Sequence, residues 1–212
     1  MISIGAHEWT WHAGQRVLLL APGPFAGDAL NLLQGKEGHL AWTCLDSAGL
    51  RLSRMNTALI NQATRPALFV QGRATRLPFR RHSFEAIISF EALYAIRPPW
   101  TVIAEYHRVL APDGTLILFE PAWEDACSKL CSRLLGPGKR VYEMEEIEGR
   151  LTRADFLIEQ AAHLPNPLPY PLPAYLIAAV KKENLAEPVP QVITTRALRA
   201  KQKKYPRGEE LP

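Results

Sequence analysis

A glycine-containing turn and an acidic residue lie where two consecutive predicted strands end, and together they could hold a nucleotide. The apolar run Arg16–Leu20 predicts a buried strand that leads into the turn Ala21–Gly27 and then a helix ending near Gln34. Backbone amides and a helix N-terminus can face a nucleotide in this arrangement. Asp46, which ends the next predicted strand His39–Leu45, is placed to accept hydrogen bonds from ribose hydroxyls. An aspartate at a strand end is as often structural, so neither feature alone decides the function.

The elements that would position these residues alternate between strands and helices, which is typical of an open α/β sheet. Further strands are predicted at Ala67–Gln71, Phe84–Phe90, Thr115–Glu120, Phe156–Gln160 and Ala174–Val180. Helices are predicted from about Asp28, from Ser47 to about Asn61, after Pro98-Pro99, over Trp123–Leu135 and over Tyr142–Leu151. Pro112-Asp113-Gly114 predicts a turn, Gly136-Pro137-Gly138 a break, and the five prolines of Leu164–Pro173 an extended loop. We expect one domain over residues 1–182 and a basic tail over residues 183–212.

Composition excludes several classes of protein. Of 212 residues, 47% are apolar and 22% are charged, which excludes a disordered chain, a collagen-like fibre and a disulfide miniprotein. The longest apolar run, Ala174–Val180, holds seven residues, far short of the roughly 20 that a membrane span needs. The start of the chain does not follow the pattern of a secretory signal, so a cytoplasmic location and no membrane partner are expected.

Neither the cysteines nor the charge distribution predicts a metal site or a nucleic-acid partner. The three cysteines, Cys44, Cys127 and Cys131, suggest reduced thiols, and no second ligand pair supports a metal site. The net charge is +4, and six basic residues with no acidic one lie between Thr194 and Arg207. A solvated terminus is the commoner meaning of such a run, so nucleic-acid binding is not expected.

Three stretches in the middle of the chain resemble the motifs of class I S-adenosylmethionine-dependent methyltransferases. They are Gln71–Phe79 (QGRATRLPF), Ser83–Ser89 (SFEAIIS) and Glu105–Leu116 (EYHRVLAPDGTL). Their order and spacing are similar to the type 11 branch typified by ubiquinone and menaquinone C-methyltransferases, which reads roughly GDAxxLPFxxxSFDxV and then ExxRVLxPGGxL. The resemblance spans Arg16 to about Pro121 and continues weakly to Lys181.

This resemblance implies a Rossmann-like, doubly wound seven-stranded sheet of order 3-2-1-4-5-7-6 with the last strand antiparallel. It also implies S-adenosylmethionine as cofactor and a small-molecule methyl acceptor as partner. Asp46 would bind the ribose, and Arg73, Ala74 and Thr75 would border the adenine. Gly23 would admit the methionine portion, and Ser89 to Tyr94 would face the sulfonium and the substrate. The expected cofactor-binding residues are Ala21, Gly23, Phe25, Asp46, Ser47, Arg73, Ala74, Thr75 and Ser89.

The chain departs from the family pattern around the cofactor. The family's first loop reads DxGxGxG, whereas this chain has Leu19–Phe25 with sequence LLAPGPF. Leu19 offers no acceptor for the cofactor's ammonium group, two prolines lack N–H donors, and Phe25 adds a bulky ring. Arg73 replaces an acid and can only donate hydrogen bonds. The cofactor would then bind in a shifted or weakened way, or the protein is an inactive methyltransferase-like scaffold for a protein partner.

Candidate catalytic residues follow the fourth predicted strand of the sheet. Glu91 and Tyr94 are the predicted catalytic pair, because a general base helps when the methyl acceptor carries a proton. His107 is a third candidate, and its alternative interpretation is a structural histidine on a helix. Glu120 and Trp123 could line the acceptor pocket. Acceptor recognition would rest on the segment from Trp123 to Arg150 or on a partner chain, with a homodimer as one alternative. A nicotinamide-dependent reductase is disfavoured because GxGxxG is absent.

Overall fold

The computed structural model describes residues 2–4, 7–9, 12, 14–20, 40–49, 68–94, 96, 98–122, 140–164 and 174–182. The strands are β1 (Ile2–Ile4), β2 (His7–Trp9), β3 (Arg16–Leu20), β4 (Ala41–Asp46), β5 (Leu68–Gln71), β6 (Phe84–Phe90), β7 (Leu110–Pro121), β8 (Phe156–Leu164) and β9 (Ala174–Lys181). The helices with established bounds are α1 (Trp100–Val109) and α2 (Met144–Arg153). None of the described helices is long and apolar enough to cross a bilayer.

Strands β3 to β9 form one seven-stranded sheet with the order β5-β4-β3-β6-β7-β9-β8. Counted from β3, this is the predicted order 3-2-1-4-5-7-6, which is confirmed. Strands β3 to β7 pair in parallel, and β9 runs antiparallel to both β7 and β8, as predicted. Strands β1 and β2 form a separate antiparallel pair that the sequence analysis does not predict.

The central strands of this sheet are apolar along their whole length because a hydrophobic core covers each face of the sheet. Along β3 the side chains alternate, so Leu18 and Leu20 join a core with Tyr106 of α1, while Val17 and Leu19 join the core of the opposite face. All four β3 residues are fully buried. The central strands therefore read as continuous apolar runs rather than as alternating patterns.

Helix α1 connects β6 to β7 and returns across one face of the sheet. Its buried residues recur at helical spacing, as predicted: Val102, Ile103, Tyr106 and Val109. Its last turn is closed by the Lys181 ammonium, which donates to the carbonyls of His107 (2.9 Å) and Leu110 (3.0 Å). Because α1 runs from the end of β6 back to the start of β7, Trp100 lies near the carboxyl edge of the parallel strands and His107 lies near the amino edge.

The predicted turn at Pro112-Asp113-Gly114 forms inside β7 and not ahead of it. The partners change from Phe84↔Leu110 to Ala86↔Thr115, so extra residues of β7 bulge out of the ladder. Asp113 adopts a left-handed conformation with φ of 56°. The boundary of the predicted strand Thr115–Glu120 is thus corrected, because the chain turns without leaving the sheet.

Other boundaries differ slightly from those predicted, and several predictions fall outside the described residues. Helix α2 begins two residues later than predicted, and β8 extends beyond Gln160 because Ala161–Leu164 continue the pairing with β9. The predictions outside the described residues are the helix near 28–34, most of the helix 47–61, the helix 123–135, the Gly136–Gly138 break, the loop 165–173 and the tail 183–212.

Candidate active site

The carboxyl ends of β4, β5, β6 and β7 meet at one edge of the sheet because these strands are parallel. Ligands of open α/β sheets bind in the crevice at this edge, where the strand order reverses. In this sheet the reversal lies at β3, which pairs with β4 on one side and with β6 on the other. The predicted contacts Ala21, Gly23 and Phe25 follow β3 and lie outside the described residues.

Asp46 ends β4 at this edge, and its carboxylate is held in place by the backbone. Its Oδ1 atom accepts a hydrogen bond of 2.7 Å from the Ala48 amide. Its backbone carbonyl accepts a 3.0 Å hydrogen bond from the Gly72 amide, which ties the end of β4 to the segment after β5. The neighbouring Ser47 is exposed. A carboxylate can only accept hydrogen bonds, so Asp46 has the chemistry that ribose hydroxyls require.

The segment after β5 forms a tight turn at the same edge. The Arg76 amide donates to the Arg73 carbonyl at 3.0 Å, and the two residues form an isolated antiparallel bridge. Ala74 is half-buried against the core, while Arg73 and Thr75 are exposed. The turn therefore places its backbone at the predicted adenine border, although the Arg73 guanidinium provides no acceptor there.

A cluster of polar contacts joins this segment to α1. The Glu105 carboxylate accepts a 2.6 Å hydrogen bond from the Leu77 amide, and the Arg108 guanidinium donates to Glu105 at 2.7 Å. Arg108 also donates to the carbonyls of Leu77 (3.0 Å) and Phe79 (2.8 Å). The hydrogen bond from Arg108 lowers the pKa of Glu105. The motif residues LPF and ExxR are therefore physically linked, a role for Glu105 and Arg108 that sequence reasoning missed although their spacing of three was visible.

Glu91 and Tyr94 lie in the loop that follows β6 at the carboxyl edge. Glu91 has a left-handed backbone with φ of 49°, and its amide donates to the Phe119 carbonyl at 2.7 Å. The Tyr94 carbonyl accepts a 2.9 Å hydrogen bond from the Arg140 amide. A non-glycine residue at positive φ needs support from its surroundings, and such strain is common at functional sites. The two predicted catalytic residues are thus held in one fixed loop.

Glu120, near the end of β7, is the acidic side chain that this loop surrounds. It is 1% exposed and accepts hydrogen bonds from the amides of Leu93 (2.9 Å) and Tyr94 (3.3 Å). Burial and, to a smaller extent, the charge of Glu91 together raise the pKa of Glu120 to about 8, although the backbone amides of the loop lower it. The structure therefore brings Glu91, Tyr94 and Glu120 together.

Ser89, an expected cofactor contact, is the penultimate residue of β6. Its side chain is fully buried, and its hydroxyl lies 2.7 Å from the Tyr106 hydroxyl of α1. Burial raises the pKa of Tyr106 well above its usual range. The alternation of β6 turns the Ser89 side chain toward Tyr106 and the core, and its expected contact with the cofactor stays a prediction.

His107 is also separated from the carboxyl edge. Its ring packs edge-on against Phe156 with centroids 5.5 Å apart, near the amino ends of the parallel strands. Burial lowers the pKa of His107, and the positive charge of Lys181 lowers it further. The structure does not bring His107 together with Glu91 and Tyr94, because α1 carries it to the other edge. This placement favours the alternative interpretation of a structural histidine.

Neither a reactive cysteine nor a metal site is found within the described residues. Cys44 is a free, buried thiol whose pKa is raised to about 12 by burial, so it is not a reactive thiolate. No group of three or more metal-binding side chains occurs in the described ranges. Cys127, Cys131 and Trp123 lie outside them.

The sheet order and the antiparallel β9 define the Rossmann-like fold of class I methyltransferases. Residues 23–118 match the family model described as "Methyltransferase domain". The chain is 33% identical over 106 residues to the demethylmenaquinone methyltransferase of Thermotoga maritima. That match covers 50% of this chain and 43% of the relative, so the chain spans less than half of that relative's length.

Solved structures of methyltransferases share the same fold. A SAM-dependent methyltransferase from Methanosarcina mazei superposes with a TM-score of 0.61 at 20% identity, over 81% of this chain and 94% of that chain. Phosphoethanolamine N-methyltransferase 2 from Haemonchus contortus, in complex with S-adenosyl-L-methionine, gives a TM-score of 0.65 at 14% identity. The latter match covers 82% of this chain and 50% of that chain.

Proposed function

We propose that this protein transfers a methyl group from S-adenosylmethionine to a small-molecule acceptor. The observation that carries the proposal is that three parts of the matched segment meet at the carboxyl edge of the sheet. These parts are Asp46, the turn Arg73–Arg76 and the loop with Glu91 and Tyr94. A family match alone would leave open whether the matching residues form a site.

The described residues fit S-adenosylmethionine at the ribose and adenine positions. Asp46 would accept hydrogen bonds from the two ribose hydroxyls, and the backbone of Ala74 and Thr75 would border the adenine. Leu19 is fully buried in the core, so its side chain packs and does not bind the ammonium group. Bound S-adenosylmethionine supplies a methyl group made electrophilic by the adjacent sulfonium.

Positioning accounts for most of the proposed catalysis, because methyl transfer is an in-line displacement. The loop after β6 orients the acceptor, and Glu91 takes a proton from it where the acceptor nucleophile is protonated. Tyr94 lies three residues further along the same loop and offers a hydroxyl that can donate to the acceptor or accept from it. His107 and the Ser89 side chain have no role in this proposal.

The acceptor is proposed to be a small organic molecule. The curated relative is named for demethylmenaquinone and one solved relative for phosphoethanolamine, which are both small molecules. One aromatic side chain that could contact such an acceptor lies close after the loop that follows β6: Trp100 is half-exposed under the Arg150 guanidinium. A cytoplasmic location remains a prediction from the sequence.

Thermal unfolding with and without S-adenosylhomocysteine tests the proposal. A ligand at about 100 times its dissociation constant adds roughly 2.7 kcal/mol, which should raise the midpoint by roughly 5–10 °C. Asp46→Asn keeps an acceptor for the Ala48 amide but loses the charge, and we expect it to weaken binding about tenfold or more. Glu159→Gln, an exposed acid on β8, is the matched control and should bind as the wild type does.

A wild-type protein that shows no midpoint shift with millimolar S-adenosylhomocysteine or S-adenosylmethionine contradicts the proposal. Equal binding by the wild type and Asp46→Asn would instead remove the role assigned to Asp46. Transfer of labelled methyl from S-adenosylmethionine to quinones or small amines then identifies the acceptor class.

A further inference from the structure

Glu120 occupies a place between the sheet and the loop that carries the proposed catalytic residues. It is the penultimate residue of β7, its backbone pairs with Tyr175 of β9, and its side chain is 1% exposed. A carboxylate so deeply buried is unfavourable unless its oxygens receive hydrogen bonds. The hydrogen bonds that the Glu120 oxygens accept are therefore what makes an acid tolerable at this position.

The two oxygens of Glu120 each accept from a different backbone amide. Oε1 lies 2.9 Å from the Leu93 nitrogen, and Oε2 lies 3.3 Å from the Tyr94 nitrogen. Leu93 is fully buried, so its amide has no access to solvent water. Both donors belong to the loop that begins at Glu91, which is itself anchored by the hydrogen bond from its amide to the Phe119 carbonyl.

This geometry distinguishes a positioning residue from a catalytic one. The Glu120 oxygens are turned toward the backbone of the loop, whereas Glu91 and Tyr94 are half-buried at the edge. An ionised carboxylate can accept at both oxygens, while a protonated carboxyl converts one oxygen into a donor. Its protonation state therefore decides whether both amides are held.

We propose that the Glu120 carboxylate is a positioning residue, which fixes Glu91 and Tyr94 through the amides of Leu93 and Tyr94 and releases part of this hold when protonated. We call this arrangement the Glu120 clamp. Only its catalytic consequence rests on the proposed methyl transfer, since the clamp itself is a property of the loop.

The surroundings of Glu120 place its pKa near physiological pH, so the clamp changes its protonation state in this range. Burial is the main reason that the pKa of Glu120 is raised to about 8, and Glu91 adds a like charge. The other titratable groups near it in the described residues are the hydroxyls of Tyr106 on α1 and Tyr175 on β9, with Tyr142, Glu145 and Glu146 beyond Tyr175. Burial raises the pKa of both Tyr106 and Tyr175 far above this range, so those hydroxyls stay neutral.

Amide NMR of the full chain without cofactor tests the clamp. We expect the amide resonances of Leu93 and Tyr94 to titrate together with a midpoint near pH 8 in the wild type. Glu120→Gln should abolish this titration, because the glutamine side chain stays neutral and keeps one accepting oxygen at every pH in this range. Glu91→Gln should keep the titration and move its midpoint downward, since the like charge is removed. The control Glu159→Gln should titrate as the wild type does.

Resonances of Leu93 and Tyr94 that do not change with pH in the wild type would overturn the clamp, and so would a titration that persists in Glu120→Gln. The wild-type measurement needs no variant, so it decides even where a variant fails to fold. Calorimetry with S-adenosylhomocysteine on the same samples separates the two proposals. Absence of binding defeats the proposed function and leaves the clamp standing, whereas normal binding with silent amides defeats only the clamp.

Discussion

At the scale of single residues, Arg108 contributes more contacts than its half-buried position on α1 suggests. Its guanidinium donates to Glu105 and to the carbonyls of Leu77 and Phe79, so one side chain orders the segment between the Arg73–Arg76 turn and β6. A planar guanidinium suits this geometry because its donors diverge in one plane. A lysine would offer a point charge and could not reach all three acceptors in the same way.

We expect Arg108→Ala to lower the free energy of unfolding by about 2–4 kcal/mol, because two carbonyls and a carboxylate lose their donor together. Urea denaturation measures the loss. Arg80→Ala is the matched control from the same segment, since Arg80 is exposed, and it should change stability by less than about 0.5 kcal/mol. Similar losses in both variants would show that the contacts of Arg108 add nothing specific.

At the scale of elements, the bulge in β7 lets the chain turn without ending the strand. Gly114 lies at its base, where an added Cβ atom would come 2.9 Å from the Ala111 carbonyl oxygen and 3.2 Å from the Glu85 carbonyl oxygen. Neither backbone atom can move without disturbing the pairing of β6 with β7. The bulge thus depends on the absence of a side chain at this position.

Gly114→Ala should therefore lower the free energy of unfolding by about 1–3 kcal/mol through overpacking. Gly149→Ala makes the same chemical change within α2, where nothing lies within 4 Å of the added Cβ atom. That control should raise stability by roughly 0.5–1 kcal/mol, since alanine favours helix more than glycine does. Chemical denaturation of both variants checks the contrast, and a neutral Gly114→Ala would contradict the tight packing.

At the scale of the whole molecule, two kinds of acid affect the free energy of unfolding in opposite ways as the pH changes. Acids paired with arginine stabilise the fold at higher pH, whereas the buried Glu120 stabilises it at lower pH. Hydrogen bonds from Arg16 and Arg108 lower the pKa of Glu85 and Glu105, so their contribution is lost as pH falls through these lowered values. Glu120 has a raised pKa of about 8 against an ordinary value of 4.5, so the folded state binds its proton more tightly. Its contribution is present below pH 4.5 and declines as pH rises toward 8.

Stability should consequently be greatest in mildly acidic solution and fall toward pH 8. In Glu120→Gln the decline between pH 4.5 and 8 should be smaller, because the titrating group is gone. Urea unfolding at several pH values measures both curves. Parallel curves for the wild type and the variant would show that Glu120 has an ordinary pKa.

The sheet order was predicted through a resemblance, because the motifs from Gln71 to Leu116 are similar to those of a family whose sheet has this order. The sequence also predicted that Asp46, Glu91 and Tyr94 lie at one edge, since parallel strands end together. It did not predict that Ser89 points into the core or that α1 removes His107 from the edge. Those outcomes depend on strand alternation and on helix direction, which spacing along the chain does not reveal.

The contact between Glu105 and Arg108 has a consequence for how this sequence can change over evolutionary time. Losing Arg108 alone would leave Glu105 as a half-buried carboxylate without its main counter-charge, whereas replacing both residues together avoids that penalty. Among related proteins, the two positions should therefore vary as a pair. The backbone segment Leu77–Phe79 should keep its length in any lineage that keeps the pair.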